Sequence, residues 1–287
     1  MNTTVEIKNL NKSYGNQQVL FDISFTVNRG EIFALLGVNG AGKTTTLECI
    51  EGIRGYERGQ ITLNGTIGVQ LQSSSLPQYI KAIEAVRLFA KWNHAAVDGD
   101  YLGRIGVSSF QNKKYQDLST GQKRRLHLAI AMLGNPDIIL LDEPTAGLDV
   151  EGRAALHEEI RHFKNAGKTI ILASHDLSEV EELCDRIAIL RNGEIAFIGT
   201  SQALTEQLQD TRRLHVRFSS PVRMDGLAVC VYRTEEQGYA IFEADNLTDG
   251  LLELSTAAKK QNSSIDDIKI ERASLEQRFI DISREVK

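Results

Sequence analysis

Cysteine is scarce in this chain: Cys49, Cys184 and Cys230 are odd in number, widely spaced and in no C-x-x-C arrangement. That excludes a disulfide framework and argues against structural zinc, and the three read as small core residues in a reducing compartment. Long apolar runs are also missing. The longest, such as Ile138 to Leu141 and Ile170 to Ala173, fall far short of the ~18 residues a membrane-spanning helix needs. The start, Met1-Asn2-Thr3-Thr4-Val5-Glu6-Ile7, has no basic segment followed by an apolar one, so no secretory signal is expected. There is no excess of positive charge either; a net charge of -5 gives no basic footprint for nucleic acid. The cluster Lys123-Arg124-Arg125 reads as a solvated helix face. No internal repeat or low-complexity segment is visible.

What is present is ordinary globular material, 41% hydrophobic and 25% charged over 287 residues, enough for one large domain and an appendage. Strand patterns at Val5 to Leu10, Val19 to Val27 and Glu31 to Leu36 precede a glycine-rich loop, and a helix that stops at Gly52 follows it. Further strands are expected at Gln60 to Leu63 and Thr66 to Leu71. A helical subdomain is expected from about Ser73 to Asn135, where Ile83, Val86, Phe89 and Ala90 share one face. Apolar strands then alternate with helices: Asp137 to Leu141, a helix over Val150 to Asn165, Thr169 to Ala173, a helix over Leu177 to Leu183, and Arg186 to Leu190. That alternation indicates a parallel sheet covered on both faces. An Asn192-Gly193 turn predicts a hairpin into Ile195 to Ile198. After Gly199 the texture changes. Strands at Leu214 to Phe218, Leu227 to Tyr232, Tyr239 to Glu243 and Ile265 to Ile270, with helices near Leu251 to Lys260 and Ser274 to Arg284, suggest a small α+β unit.

The loop Gly37-Val38-Asn39-Gly40-Ala41-Gly42-Lys43-Thr44-Thr45 satisfies G-x-x-x-x-G-K-[ST] between a strand and a helix. Its glycines let backbone N–H groups converge on a phosphate, and the helix start adds its positive dipole end. In this pattern Lys43 reaches the β- and γ-phosphates and Thr44 is placed to ligate Mg²⁺. Alone, the loop would admit a kinase, a GTPase, a helicase or a transporter motor. Downstream, the apolar strand Ile138 to Leu141 ends in Asp142-Glu143, at the carboxyl edge of the sheet beside the loop. Successive strand residues point opposite ways, so the two acids are expected to take two roles.

Leu118-Ser119-Thr120-Gly121-Gln122 decides among those machines. Ser119 and Gln122 form a capping box at the start of a helix that carries Leu126, Ile130 and Leu133. A cap does not explain Gly121, which costs about 1 kcal/mol against alanine in a first turn unless something must approach the backbone closely. A phosphate is such a thing. The chain thus holds two phosphate-binding helix starts and one acidic strand end.

The pentapeptide resembles the signature of ABC ATPases, and Pro144-Thr145-Ala146-Gly147-Leu148-Asp149 resembles their D-loop. The resemblance implies an α/β P-loop fold with a mainly parallel sheet core, an antiparallel β subdomain and a helical subdomain, followed by a small α+β appendage. The ATPase domain would span 1–200, its helical subdomain about 73–135, and the accessory domain 201–287. ATP and Mg²⁺ are the implied cofactors. Asp142, Thr44 and Gln72 would hold the Mg²⁺ shell, Glu143 would polarise the attacking water, and His175 in Ser174-His175-Asp176 would contact the γ-phosphate. Tyr14 would stack on adenine, with the backbone of 37–45, Asn39, Gly40, Ala41, Gly42 and Thr45 included, around the phosphates. Gln70 and Gln72 are both candidates for the family's Q-loop glutamine, and alignment on Ile67-Gly68 favours Gln72. His94, His127, His157, His162 and His215 are assigned no function. The family departs from this chain at Thr120, where glycine is usual, and at the short connection between Asn64-Gly65 and the next strand.

In ABC ATPases the two phosphate sites meet head to tail, Ser119, Gly121 and Gln122 of one copy completing the ATP site of another. The resemblance therefore implies a homodimer or heterodimer driving a separately encoded membrane permease from the cytoplasmic face, with no nucleic acid partner. Leu275, Phe279 and Ile282 resemble the closing helix of the ABC-2 type exporters, which suggests export. A soluble regulatory ABC ATPase acting on a ribosome, DNA or a scaffold is the alternative.

Overall fold

The computed structural model describes residues 3–70, 76–206, 212–224 and 226–271. The chain divides into two compact units, Met1–Gly199 and Thr200–Lys287.

In the first unit, β1 (Thr3–Tyr14), β2 (Gln17–Asn28) and β4 (Arg58–Leu63) form an antiparallel sheet in the order β2-β1-β4. A second, six-stranded sheet runs β5-β6-β7-β3-β8-β9, from β5 (Ile67–Gln70), β6 (Ile138–Asp142), β7 (Thr169–Ser174), β3 (Ile32–Leu36), β8 (Arg186–Arg191) and β9 (Glu194–Gly199). Its first five strands are parallel, and β9 closes the edge antiparallel through Asn192 and Gly193, at φ 49° and 80°. Both central residues of that turn need positive φ, which is what Asn-Gly supplies.

Every residue of β3, β6 and β7 is buried, as expected of a sheet covered on both faces. Alternation along the strands feeds two separate cores. Phe33, Leu35, Leu140 and Ile171 pack with Val5, Ile7, Leu47 and Ile50 under the antiparallel sheet. Ile32, Ile139, Leu141 and Leu172 pack on the opposite face with Leu126, Ile160 and Phe163. Phe25 and Phe33 stack at 5.0 Å and bind the two sheets together.

The α-helices described in the unit are α1 (Lys43–Ile50), α2 (Ala82–Trp92), α3 (Gly99–Arg104), α4 (Thr120–Ala131), α5 (Val150–Asn165) and α6 (Leu177–Leu183). The stretch from α2 to α4 is helical apart from turns, as its periodicity indicates. Its seat on the sheet is tight. A Cβ on Gly68 of β5 would lie 2.1 Å from the Ala131 carbonyl at the end of α4, so only glycine lets that helix end approach the strand. The short connection at Asn64-Gly65 leaves the sheet edge intact: β5 pairs with β6 along its length, and Thr66 donates both N–H (3.0 Å) and hydroxyl (3.1 Å) to Asp137.

The second unit begins with α7 (Ser201–Glu206), which the residue pattern does not announce. It continues with β10 (Arg212–Phe218), β11 (Cys230–Glu236), β12 (Tyr239–Ala244), α8 (Leu247–Lys260) and β13 (Ile265–Glu271), in an antiparallel sheet of order β11-β12-β10-β13. Leu214, Val216, Phe242 and Leu254 form its core. The strand expected from Leu227 instead starts at Cys230, and the Glu253 carboxylate takes the N–H groups of Ala228 (2.5 Å), Val229 (3.0 Å) and Cys230 (2.7 Å) ahead of and at its first residue. The helix expected at Leu251 starts earlier, where Asn246 caps the N–H groups of Thr248 and Asp249. The expected helix over Ser274 to Arg284 lies outside the described residues.

Candidate functional site

Among the described residues, four parallel strands end at the same edge of the sheet. Leu36 pairs with Ser174, Asp142 with Ala173 and Gln70 with Leu141, so the glycine loop, the two acids, His175 and Gln70 all lie at the carboxyl ends of neighbouring strands. That edge, outside strand ends at a change of strand order, is where open α/β sheets bind ligands.

The loop wraps around its own lysine. Lys43 Nζ donates to the carbonyls of Gly37 (2.7 Å) and Val38 (3.2 Å), and the side chain is 6% exposed. Gly42 caps α1 at φ 106°, a conformation open to glycine, and this aims the first-turn N–H groups of α1 into the loop. Burial lowers the Lys43 pKa, and the carboxylates of Glu143 and Asp142 oppose that.

Asp142 ends β6, nearly inaccessible, and burial raises its pKa, against the hydrogen bond from the Thr44 hydroxyl. Its Oδ1 has no hydrogen-bond partner. A buried carboxylate oxygen left unpaired beside a hydroxyl is a donor set of hard oxygens, which fits Mg²⁺.

Glu143 departs from the expected strand alternation. It has φ 49°, a left-handed conformation rare for a glutamate, while its N–H bonds the Ala173 carbonyl at 2.9 Å. This turn, rather than the pleat, separates the two acids. Glu143 Oε2 lies 2.6 Å from His175 Nδ1, and Oε1 lies 3.7 Å from Lys43 Nζ. The His175 side chain is 56% exposed, so the ring is open to a ligand on the solvent side.

Tyr14, half exposed, has Lys12 Nζ 5.2 Å and the Arg54 guanidinium 5.9 Å from its ring centre. Gln70 is buried with neither amide atom paired. Gln72, favoured over it from the sequence, lies outside the described residues.

The capping box at Ser119 forms as expected: Gln122 N–H donates to Ser119 Oγ (3.2 Å) and Ser119 N–H to Gln122 Oε1 (3.1 Å). Ser119 lines a cavity of about 550 Å³ with Thr120, Gly121, Arg124 and Asp149, and no residue of the loop 37–45 lines it. Among the described residues nothing requires glycine at 121, since a Cβ there would meet only Leu148 at an ordinary 3.6 Å. Thr120 rests its methyl where a Cβ on Gly147 would be 3.4 Å away, and Asp149 caps α5 through Gly152 N–H at 2.8 Å.

The basic cluster 123–125 is not the solvated face expected of it. Lys123 lies 5.0 Å over the Tyr115 ring and Arg125 5.8 Å over Phe110. Arg124 is half buried, in the field of Asp142 and Glu143, and burial lowers its pKa against those two carboxylates. Its spacing from Ser119 carried no signal of this.

A phosphate-binding loop, a buried lysine and an acidic strand end at one sheet edge define a P-loop nucleotide-binding protein. Sequence and structure comparisons narrow the class. The ABC transporter family pattern matches residues 20–146. An uncharacterized ABC transporter ATP-binding protein of Methanocaldococcus jannaschii is 37% identical over 72% of this chain and 82% of its own length. The Nod factor export ATP-binding protein I of Burkholderia lata is 32% identical over 83% of this chain and 84% of its own. The linearmycin resistance ATP-binding protein of Bacillus subtilis is 33% identical, over 71% of each. Among solved structures, an ATP-binding subunit of an ABC transporter superposes with a TM-score of 0.65 at 31% identity, covering 71% of this chain and 93% of that one. A dimeric bacterial ABC transporter cassette superposes at 0.62 and 25% identity, over 68% and 98%. The chain belongs to the ABC transporter ATP-binding proteins, a family whose members are generally ATPases.

Proposed function

We propose that the chain is the ATP-hydrolysing subunit of an exporter-type ABC transporter, working as a dimer on the cytoplasmic face of a separately encoded permease. The observation that carries this reading is the joining of Lys43, Glu143 and His175 in one contact chain at the sheet edge, while Ser119 and Gly121 line a cavity without the loop 37–45. A single copy then holds two half-sites, and two copies head to tail make two whole ones. The export-type relatives support the direction of transport. Among the described residues no helix is long and apolar enough to cross a membrane, which fits a motor that acts through a partner.

Lys43 gives up its carbonyl contacts to bind the β- and γ-phosphates, and the α1 N–H groups complete the cradle. Tyr14 offers a face to the adenine. Thr44, Asp142 and Gln72 would hold Mg²⁺, which would neutralise charge developing on the phosphate. Glu143 orients and polarises the attacking water, and His175 keeps Glu143 in place while its ring contacts the γ-phosphate. Positioning and charge stabilisation supply most of the catalysis in such a reaction. The second unit, Thr200–Lys287, is an accessory domain for dimer contact or regulation. Truncation after Gly199 should alter dimerisation, partner assembly or ATPase regulation, and unchanged behaviour in all three would remove that role.

Co-purification from detergent-solubilised membranes tests the whole reading. Recovery of a permease with ATP-stimulated assembly is the expected result; recovery of ribosomes or nucleic acid in its place would contradict it.

A further inference from the structure

Behind the exposed face of the site lies a second, buried set of polar groups, none of which the reading above uses. Ser174, fully buried at the end of β7, donates its hydroxyl hydrogen to Glu179 Oε2 (2.6 Å) and accepts the Asp176 N–H (3.0 Å). One hydroxyl therefore ties down both neighbours of His175. Asp176 is fixed again by Arg153 of α5 at 2.7 Å, and it caps α6 through the N–H groups of Ser178 and Glu179.

Glu179 is 1% exposed, and its second oxygen, Oε1, has no hydrogen-bond partner. A buried carboxylate oxygen without a hydrogen bond calls for a partner close by. His157 of α5 supplies one: its side chain is 3% exposed, and Nε2 stands 3.7 Å from Glu179 Oε1, at ion-pair rather than hydrogen-bond distance. On its other side His157 Nδ1 lies 3.1 Å from Glu182 Oε2, and Glu182 is bound in turn by Arg161.

We propose that His157, Glu179 and Ser174 are positioning residues for the turn that carries His175, with His157 holding the Glu179 carboxylate and, through Ser174, the turn drawn against α6. The proposal rests on the ATPase reading for its catalytic consequence, though not for its structural one. The groups facing His157 are Glu179 and Glu182 from α6, and Ser174, beyond Glu179, is uncharged. On its own helix Arg153 and Arg161 are occupied by Asp176 and Glu182. The Cys184 thiol, in the field of Glu179, is pushed far up by burial and stays neutral.

The Glu179 carboxylate, followed by that of Glu182, holds the His157 pKa above its ordinary value, and burial opposes them. For a base with a raised folded-state pKa, the stabilisation is complete below the unfolded value and is lost as pH rises through the folded one. The turn is therefore tightest below the ordinary histidine value, and it loosens as pH rises above it.

The experiment compares full-length wild type with His157→Gln and Ser174→Ala, each first checked for a cooperative melting transition. ATPase kcat and KM are measured from about pH 6 to about pH 9, and the imidazole resonances of His175 are followed by NMR in nucleotide-free protein. His157→Gln keeps an amide donor but no charge. It should lower kcat about tenfold, leave KM within about twofold, and abolish the alkaline fall of the wild-type profile, because misplacing a catalytic group acts on the chemical step. Ser174→Ala should lower kcat likewise. The His175 resonances should shift across the His157 titration in wild type and not in His157→Gln. Wild-type kcat and pH profile in both variants, with unmoved His175 resonances, would overturn the proposal. A wild type that hydrolyses no ATP would sink the ATPase reading instead, and the NMR titration would still decide this one.

Discussion

His175 Nδ1 and Glu143 Oε2 stand 2.6 Å apart although the two residues come from the ends of different strands, and Glu143 makes the contact from a left-handed backbone conformation. The same carboxylate faces the Lys43 ammonium through its other oxygen. Strain of about 1–3 kcal/mol at such a residue persists where the surroundings fix it, and here β7 fixes it through the Ala173 carbonyl.

If each chain holds two half-sites, defective copies should complement. Lys43→Ala loses ATP binding and Gly121→Asp loses the second phosphate contact, so each alone should be nearly inactive. A mixed dimer contains one intact composite site, assembled from the loop of one and the signature of the other. Mixing the two purified variants should restore ATPase activity to a measurable fraction of wild type; a mixture no more active than its parts would place both phosphate contacts in one chain.

Gly68→Ala should destabilise the first unit without touching the nucleotide. The added methyl would meet the Ala131 carbonyl at 2.1 Å and force α4 off β5. Overpacking of this kind costs about 1–3 kcal/mol, read as a fall of roughly 2–10 °C in Tm by calorimetry. An unchanged Tm would mean the helix end yields freely.

Which parts of this were legible in the residues follows from what fixes each of them. The loop 37–45, the acids at 142 and 143 and the box at Ser119 and Gln122 use particular residue types at fixed spacing, because a phosphate, a carboxylate pair and a helix start each need a set geometry. The apolar runs at 138–141 and 169–173 gave the parallel sheet in the same way. The positive φ of Glu143 left no trace, since glutamate carries no preference for it. Arg124 looked like surface because its partners, Asp142 and Glu143, lie far along the chain. Nor did the start of β11 show that Glu253, more than twenty residues later, holds the amides before it. His157 carried no local sign of its partners on α6.

Glu51 gives a pH test separate from the chemistry. It closes α1 with both carboxylate oxygens buried and unpaired, and burial, with Glu48 and Asp142 adding to it, raises its pKa to about 7. For an acid with a raised pKa the folded state holds the proton longer, so stability falls as pH rises from the unfolded value of Glu toward 7. Glu51→Gln removes the buried charge. It should stabilise the protein at pH 8 by about 1 kcal/mol and have little effect near pH 5. Equal effects at both pH values, measured by urea denaturation, would show that Glu51 does not titrate in this range.

The central claim is that Glu143 acts on the attacking water at an ATP site completed by a second copy. Glu143→Gln keeps the shape and removes the charge, so ATP binding should remain near wild type. Turnover should fall about 10²- to 10⁴-fold, the contribution expected of a positioned base. With ATP and Mg²⁺ the variant should elute as a stable dimer in size-exclusion chromatography with light scattering, where wild type returns to monomer after hydrolysis. A Glu143→Gln protein that hydrolyses ATP at the wild-type rate, or stays monomeric with ATP bound, would contradict the account.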